Sequence, residues 1–121
     1  MSKLVGVSSH HEWEVQELRE DREFAVEYLK AAMESLDNPE ERAGGLLALR
    51  AVAEAYGGLG AVAAAAGISR ESLYRALSPK GNPTLKTLVA VLKTLGLRLS
   101  IAEKKPARSA KKKARDTRAA A

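Results

Sequence analysis

The stretch at residues 59–78 restricts the possible folds more than any other part of this 121-residue sequence. Ala63, Gly67 and Leu73 stand at spacings typical of two short helices that cross at a steep angle. A small residue such as Ala63 is needed where the helices approach most closely, and Gly67 gives the positive φ of a sharp turn without strain. Leu73 then packs the second helix on the core. The spacing predicts a helix-turn-helix whose second helix spans residues 69–78.

Elsewhere, apolar side chains recur every three to four residues, which is the pattern of helices packed on a core. Alanine and leucine are abundant and aromatic residues make up only 4% of the chain, a composition that favours helices over sheets. Ser69 and Thr84 are suitable N-caps, and Gly96 is suited to end a helix in a left-handed conformation. These patterns predict a mainly α fold of five helices, at residues 24–36, 39–56, 59–66, 69–78 and 84–95.

A short C-terminal strand is predicted after the last helix. Leu97, Leu99 and Ile101 alternate with polar residues, which is the period of a strand. A lone strand must pair, and its candidate partners are residues 3–7 or the same segment of a second copy in a dimer.

The charge is distributed unevenly along the chain. Residues 1–58 contain six Lys or Arg against twelve Asp or Glu, residues 59–102 contain six against one, and residues 103–121 contain eight against two. The last segment has no large apolar residue and is predicted to be a disordered basic tail that attracts DNA nonspecifically. The expected division is a charged N-terminal segment at 1–21, whose order the sequence leaves open, a helical domain at 22–102 and the tail at 103–121.

Several classes of function find no support in the sequence. The chain has no cysteine, no apolar run near the roughly 18 residues of a membrane helix, and no set of nucleophile, base and orienting residue. Adjacent histidines, His10 and His11, do not converge on one metal ion because neighbours on a helix point in different directions. We therefore expect a non-enzymatic, cytoplasmic protein without cofactor, metal site or membrane attachment.

The helix predicted at 69–78 carries the main candidates for a binding surface. With its leucines directed to the core, its exposed face consists of Ser69, Arg70, Glu71, Tyr74, Arg75 and Ser78. Arginine is suited to guanine or phosphate, tyrosine to phosphate or a thymine methyl, glutamate to cytosine and serine to phosphate. We predict that these side chains contact double-stranded DNA. The alternative is an ordinary solvated helix face.

The turn after this helix holds a second set of polar side chains, Lys80, Asn82 and Thr84. Together with the backbone N–H groups at the start of the next helix, they can hold a second phosphate and so set the position of a duplex without reading its sequence. The alternative is a plain turn followed by a helix cap.

The N-terminal part is a candidate for binding a protein. Its acidic residues are Glu12, Glu14, Glu17, Glu20, Asp21 and Glu23. They are suited to a basic partner, or they form a solvated charged helix. Trp13 is either an interface anchor or a cover for the apolar edge of its own domain.

Two runs of sequence resemble a known family. GISRESLYRALSPKGNPTLKTLVAVLKTLGLRLSI, and EFAVEYLKAAMESLDNPEERAGGLLALRAVAEAYGGL upstream, are similar to HigA-like addiction-module antidote (antitoxin) proteins of the helix-turn-helix Xre/lambda-repressor class. The similarity covers roughly residues 20–103, and SRESLYRALS followed by GNPTLKTL is its specific part. Leu59 and Gly60 depart from the family pattern, which has a polar residue, often glutamine, at the start of the first motif helix.

The resemblance implies a five-helix lambda-repressor-like DNA-binding domain, a RelE/HigB-like ribonuclease toxin as partner, repression of the shared operon through operator DNA, and a homodimer. Two other interpretations stay open. One is an antitoxin that acts mainly by protein–protein interaction and binds DNA weakly. The other is a free-standing phage or chromosomal regulator without a toxin.

Overall fold

The structure, a computed structural model, describes residues 7–103, with side chains from His10 onward. It contains α1 Val7–Glu20, α2 Arg22–Ser35, α3 Arg42–Ala55, α4 Gly58–Ala66, α5 Arg70–Ala76 and α6 Leu85–Thr94. The strand partner predicted at 3–7 lies outside the described residues except for Val7, which begins α1. The tail predicted at 103–121 lies outside them except for Glu103.

The predicted count of five helices is wrong, because the described residues form six. The additional helix, α1, lies in the charged N-terminal segment and buries Val15 and Leu18 against α2 and α3. The Leu18 carbonyl accepts a hydrogen bond from the Tyr56 hydroxyl, 2.6 Å away at the end of α3. Two buried side chains are too few to produce a clear periodic pattern, so this helix is recognisable from its packing and not from its sequence.

We call helices α1 and α2 together the N-terminal hairpin. Polar contacts join the two helices. Asp21 lies between the two helices and caps α2, its carboxylate accepting the Phe24 N–H at 3.0 Å. The Tyr28 hydroxyl donates to the Glu14 carboxylate on α1. Burial of the Tyr28 hydroxyl raises its pKa above the usual value, and the hydrogen bond and the negative charge of Glu14 raise this pKa further. A helix cap and a side-chain hydrogen bond therefore connect the two helices of the hairpin.

The third helix, α3, is central and begins at Arg42, three residues later than predicted. The delay arises at Asn38, whose side chain accepts the Glu40 N–H and whose carbonyl accepts the Glu41 N–H, both at 2.9 Å, so that residues 39–41 form a turn. From there α3 buries Leu46, Leu49 and Val52 completely and packs on α1, α2, α4 and α6. No single described helix is long and apolar enough to cross a membrane. The pair α3 and α4 reaches that length and composition only together, across a bend of 106°.

The two short helices α4 and α5 meet as the spacing predicts. Gly67 has a φ of 73° and ends α4, and the Ile68 N–H bonds back to the Ala63 carbonyl at 3.0 Å. Ala63 is buried on α4, and Leu73 is completely buried on α5. The positive φ expected at Gly67 is confirmed.

The strand predicted at 97–101 is wrong for the described residues, because residues 97–103 have no regular secondary structure. Gly96 ends α6 with a φ of 74°, and the Leu97 N–H returns to the Leu92 carbonyl at 3.0 Å. Leu99 and Ile101 beyond it are exposed, the latter by 98%. An alternating pattern becomes a strand only where a neighbouring strand accepts its hydrogen bonds, and the rest of the described chain is helices and turns.

Candidate nucleic-acid interface

Helix α5 is held by its apolar side and presents its polar side to solvent. Leu73 and Leu77 are both completely buried. The Ser69 hydroxyl caps the helix by accepting the Ser72 N–H at 3.0 Å, which confirms the predicted cap. The exposed side chains are those of Arg70, Glu71, Tyr74 and Arg75. The buried leucines therefore fix which face of α5 can meet a ligand.

These four side chains line a groove between α5, α3 and α4. Its volume is about 420 Å³, and its remaining walls are Glu54 and Leu59. The guanidinium carbon of Arg50, on α3, lies 4.2 Å from the centroid of the Tyr74 ring, which is the geometry of a cation–π contact. The structure thus brings four of the sequence-predicted residues to one surface and adds Arg50 beside them.

The positive charges at the groove are available to a ligand. Within the described range Lys30 forms an ion pair with Glu27 at 3.6 Å, and a His11 ring nitrogen lies 2.6 Å from a Glu54 carboxylate oxygen. Arg50, Arg70 and Arg75 have no carboxylate within 4 Å there. Unpaired guanidinium groups at the surface are suited to bidentate contact with phosphate or guanine. Glu71 on the same face can accept a hydrogen bond from cytosine.

The hydroxyl groups of Ser69 and Ser78 are already engaged in hydrogen bonds within the protein. Besides capping α5, the Ser69 hydroxyl lies 3.0 Å from the Ser72 hydroxyl. The half-buried Ser78 donates its hydroxyl hydrogen to the Tyr74 carbonyl at 2.7 Å. Each serine can still accept a hydrogen bond, but its donor is used for local structure. The side chains of Ser69 and Ser78 are therefore less available for the predicted contacts with DNA than those of Arg70 and Arg75.

The second predicted set lies past the end of α5, in a turn held from α3. Arg42 donates to the Gly81 carbonyl at 3.2 Å and to the Asn82 side-chain oxygen at 3.3 Å. Thr84 caps α6 by accepting the Thr87 N–H at 3.2 Å, which confirms that cap. Lys80 is exposed. Of this set, Lys80 is the side chain with the least structural engagement.

Sequence reasoning missed Arg50, Arg42 and Glu54, all on α3. Each was hidden because its partner is 24 or more positions away along the chain, where spacing carries no information. A weak signal was present, since Arg50 and Glu54 are charged side chains on an otherwise apolar stretch of helix. His11 pairs with Glu54 while His10 is exposed, so the two adjacent histidines point to different surroundings. Among the described residues, no three His, Asp or Glu side chains come together as a metal site would require.

Comparison with known proteins gives one family and one relative. The family described as probable addiction module antidote protein matches residues 9–103. An uncharacterised protein of Haemophilus influenzae is 52% identical over 40 residues, which are 33% of this chain and 41% of that protein. The chain thus matches less than half of the relative's length. No solved structure matches.

Proposed function

We propose that this chain, which belongs to the family of probable addiction module antidote proteins, is the DNA-binding antitoxin of a toxin–antitoxin module. In this proposal the protein is non-enzymatic: it binds operator DNA through a helix-turn-helix formed by α4 and α5, represses its operon, and neutralises a RelE/HigB-like ribonuclease toxin. Helix α5 is the recognition helix.

One observation carries the DNA-binding part of the proposal. Arg70, Tyr74 and Arg75 project from a helix whose opposite side is completely buried, and none of the guanidinium groups is neutralised by a carboxylate of the described chain. A short helix with such a face fits the major groove, where arginine distinguishes guanine from the other bases. The start of α4 has no polar side chain, and its Leu59 is buried. Recognition of the DNA sequence therefore depends on α5.

The test is a fluorescence-anisotropy titration of the full chain against the duplex upstream of its own gene and against a scrambled duplex, at two salt concentrations. We expect the upstream duplex to bind about 10³-fold more tightly near 0.15 M salt, in the range of specific protein–DNA complexes. Equal and steeply salt-dependent binding to both duplexes would contradict a sequence-specific repressor and favour an antitoxin that works mainly by covering its toxin.

The N-terminal hairpin is the surface that we propose for the toxin. Trp13 is 65% exposed and Phe24 40% exposed, both large apolar side chains on the two helices of the hairpin. The acidic residues close to them along the chain are also exposed, namely Glu12, Glu17, Glu20, Asp21 and Glu23. A ribonuclease must be basic where it binds RNA, so an acidic surface with an aromatic anchor is complementary to it.

Replacing Trp13 with alanine is expected to weaken toxin binding by about 30-fold, the effect of losing an aromatic hot spot. The thermal unfolding temperature should change little because the indole is mostly solvated. Binding to the product of the adjacent small gene is measured by titration calorimetry, with Leu47→Ala, a less exposed apolar side chain on α3, as the matched control. If Trp13→Ala binds the toxin normally, the hairpin is a solvated face. If no product of a neighbouring gene binds the chain, the protein is a free-standing regulator.

We propose that the dimer forms through residues 97–101. Leu99 and Ile101 are exposed although their alternation is that of a strand, and pairing with a second copy would supply the missing hydrogen bonds and cover both side chains. The Leu99→Ser, Ile101→Ser variant is expected to be monomeric by light scattering where the natural chain is dimeric. Leu47→Ser is the control. A dimer that survives the double substitution would contradict this interface.

A further inference from the structure

Arg50 occupies an unusual position for a charged residue. It is half-buried on α3, the helix that supplies Leu46, Leu49 and Val52 to the core, and its guanidinium carbon lies 4.2 Å from the centre of the Tyr74 ring on α5. Tyr74 itself is 49% exposed, so the Arg50–Tyr74 pair lies at the rim of the groove and not in the interior. Arg50 is therefore held in place on one side and reaches solvent on the other.

The hydrogen-bond donors of Arg50 are not used within the described chain. Hydrogen bonds from arginine side chains there come from Arg19, Arg22 and Arg42. A guanidinium group carries several N–H donors, and a contact with one aromatic ring does not occupy all of them. Arg50 consequently keeps N–H donors that are available to an acceptor with two oxygen atoms.

We infer that Arg50 is a phosphate-binding residue of the DNA interface, with the Tyr74 ring as the platform that orients it. This inference rests on the proposed DNA-binding function and extends the interface to α3. When α5 lies in the major groove, side chains at the border of that helix meet the sugar–phosphate backbone that flanks the groove. Arg50 reaches the surface at that border, beside Tyr74, and so contributes affinity without reading bases.

The test uses Arg50→Met, which keeps a long stem and a good helix former but removes the charge and the donors. A phosphate contact contributes about 0.9 to the slope of log affinity against log salt, and its loss weakens all sequences alike. We therefore expect Arg50→Met to lower affinity roughly tenfold for both the upstream and the scrambled duplex. The salt slope should fall by about 0.9 and the ratio between the two duplexes should stay unchanged.

Two further variants separate this role from general charge or packing effects. Lys30→Met removes one exposed positive charge from α2, at a residue that does not line the groove, and should leave the salt slope nearly unchanged. Tyr74→Leu removes the ring, and in that background Arg50→Met should have a much smaller effect, whereas in Tyr74→Phe its effect should persist.

An Arg50→Met protein with an unchanged salt slope, or one matched by Lys30→Met, overturns the inference while the DNA-binding function stands. A changed ratio between the duplexes also overturns it, because Arg50 would then read bases. If the natural chain itself fails to prefer the upstream duplex, the proposed function fails instead. Circular dichroism and the unfolding temperature of each variant establish that the fold is retained.

Discussion

Replacing Arg70 and Arg75 together with alanine is expected to lower the affinity for the upstream duplex by roughly 10²–10⁴-fold, since one good bidentate contact contributes about 1–3 kcal/mol. Both side chains are exposed and neither has a carboxylate partner within 4 Å in the described residues, so little folding free energy depends on them. Arg75 lies in the last turn of α5, where its charge favours the helix by at most about 1 kcal/mol. The loss should therefore be a loss of binding and not of folding.

The measurement is the same anisotropy titration, and the preference for the upstream over the scrambled duplex is the decisive quantity. Lys30→Ala, Lys93→Ala is the matched control, because it removes two positive charges from exposed positions outside the groove. If the control reduces the preference as much as Arg70→Ala, Arg75→Ala does, the groove does not read sequence. Neutralisation of the toxin should be intact in the groove variant, because the N-terminal hairpin is a separate surface.

Replacing Gly81 with alanine is expected to lower the free energy of unfolding by about 3 kcal/mol, which in a domain of this size is a fall of roughly 10–20 °C in unfolding temperature. A Cβ atom at Gly81 would overlap the Ala76 carbonyl group and lie 2.6 Å from the Arg75 carbonyl oxygen. Both obstacles are backbone at the end of α5, which cannot rotate away as a side chain can. The turn would have to open, and the Gly81 N–H bond to the Ser78 carbonyl, 2.7 Å long, would be disturbed.

Gly60→Ala is the matched control with the opposite sign. Gly60 is an exposed residue inside α4, and a Cβ atom there meets nothing within 4 Å. Alanine should therefore stabilise the protein by up to about 1 kcal/mol through its higher helix propensity. Urea unfolding of both variants measures the two effects. A Gly81→Ala protein as stable as the natural chain would show that the turn adapts, and its close contact with α5 would then have no energetic importance.

Local patterns in the sequence were sufficient to place much of the domain. The Ala63, Gly67 and Leu73 spacing predicted the turn between α4 and α5, and Gly67 has the positive φ that this turn requires. Ser69 and Thr84 cap the helices for which they were predicted. These features depend on residues three to six positions apart, whose contacts follow directly from helix geometry. The exposed face of α5 follows for the same reason, because Leu73 and Leu77 define the opposite side.

Contacts between distant residues were decided only by the tertiary structure. Arg50 meets Tyr74 from 24 positions away and Arg42 holds Asn82 from 40 positions away, and no spacing rule relates such pairs. Helix α1 depends on the surface that α2 and α3 offer to Leu18, and the segment 97–101 is not a strand because the described chain offers it no partner. The sequence by itself determined the approximate positions of α2 to α6 and which side chains α5 exposes. The tertiary structure decided which charges gather around those side chains, because that depends on how separate helices pack.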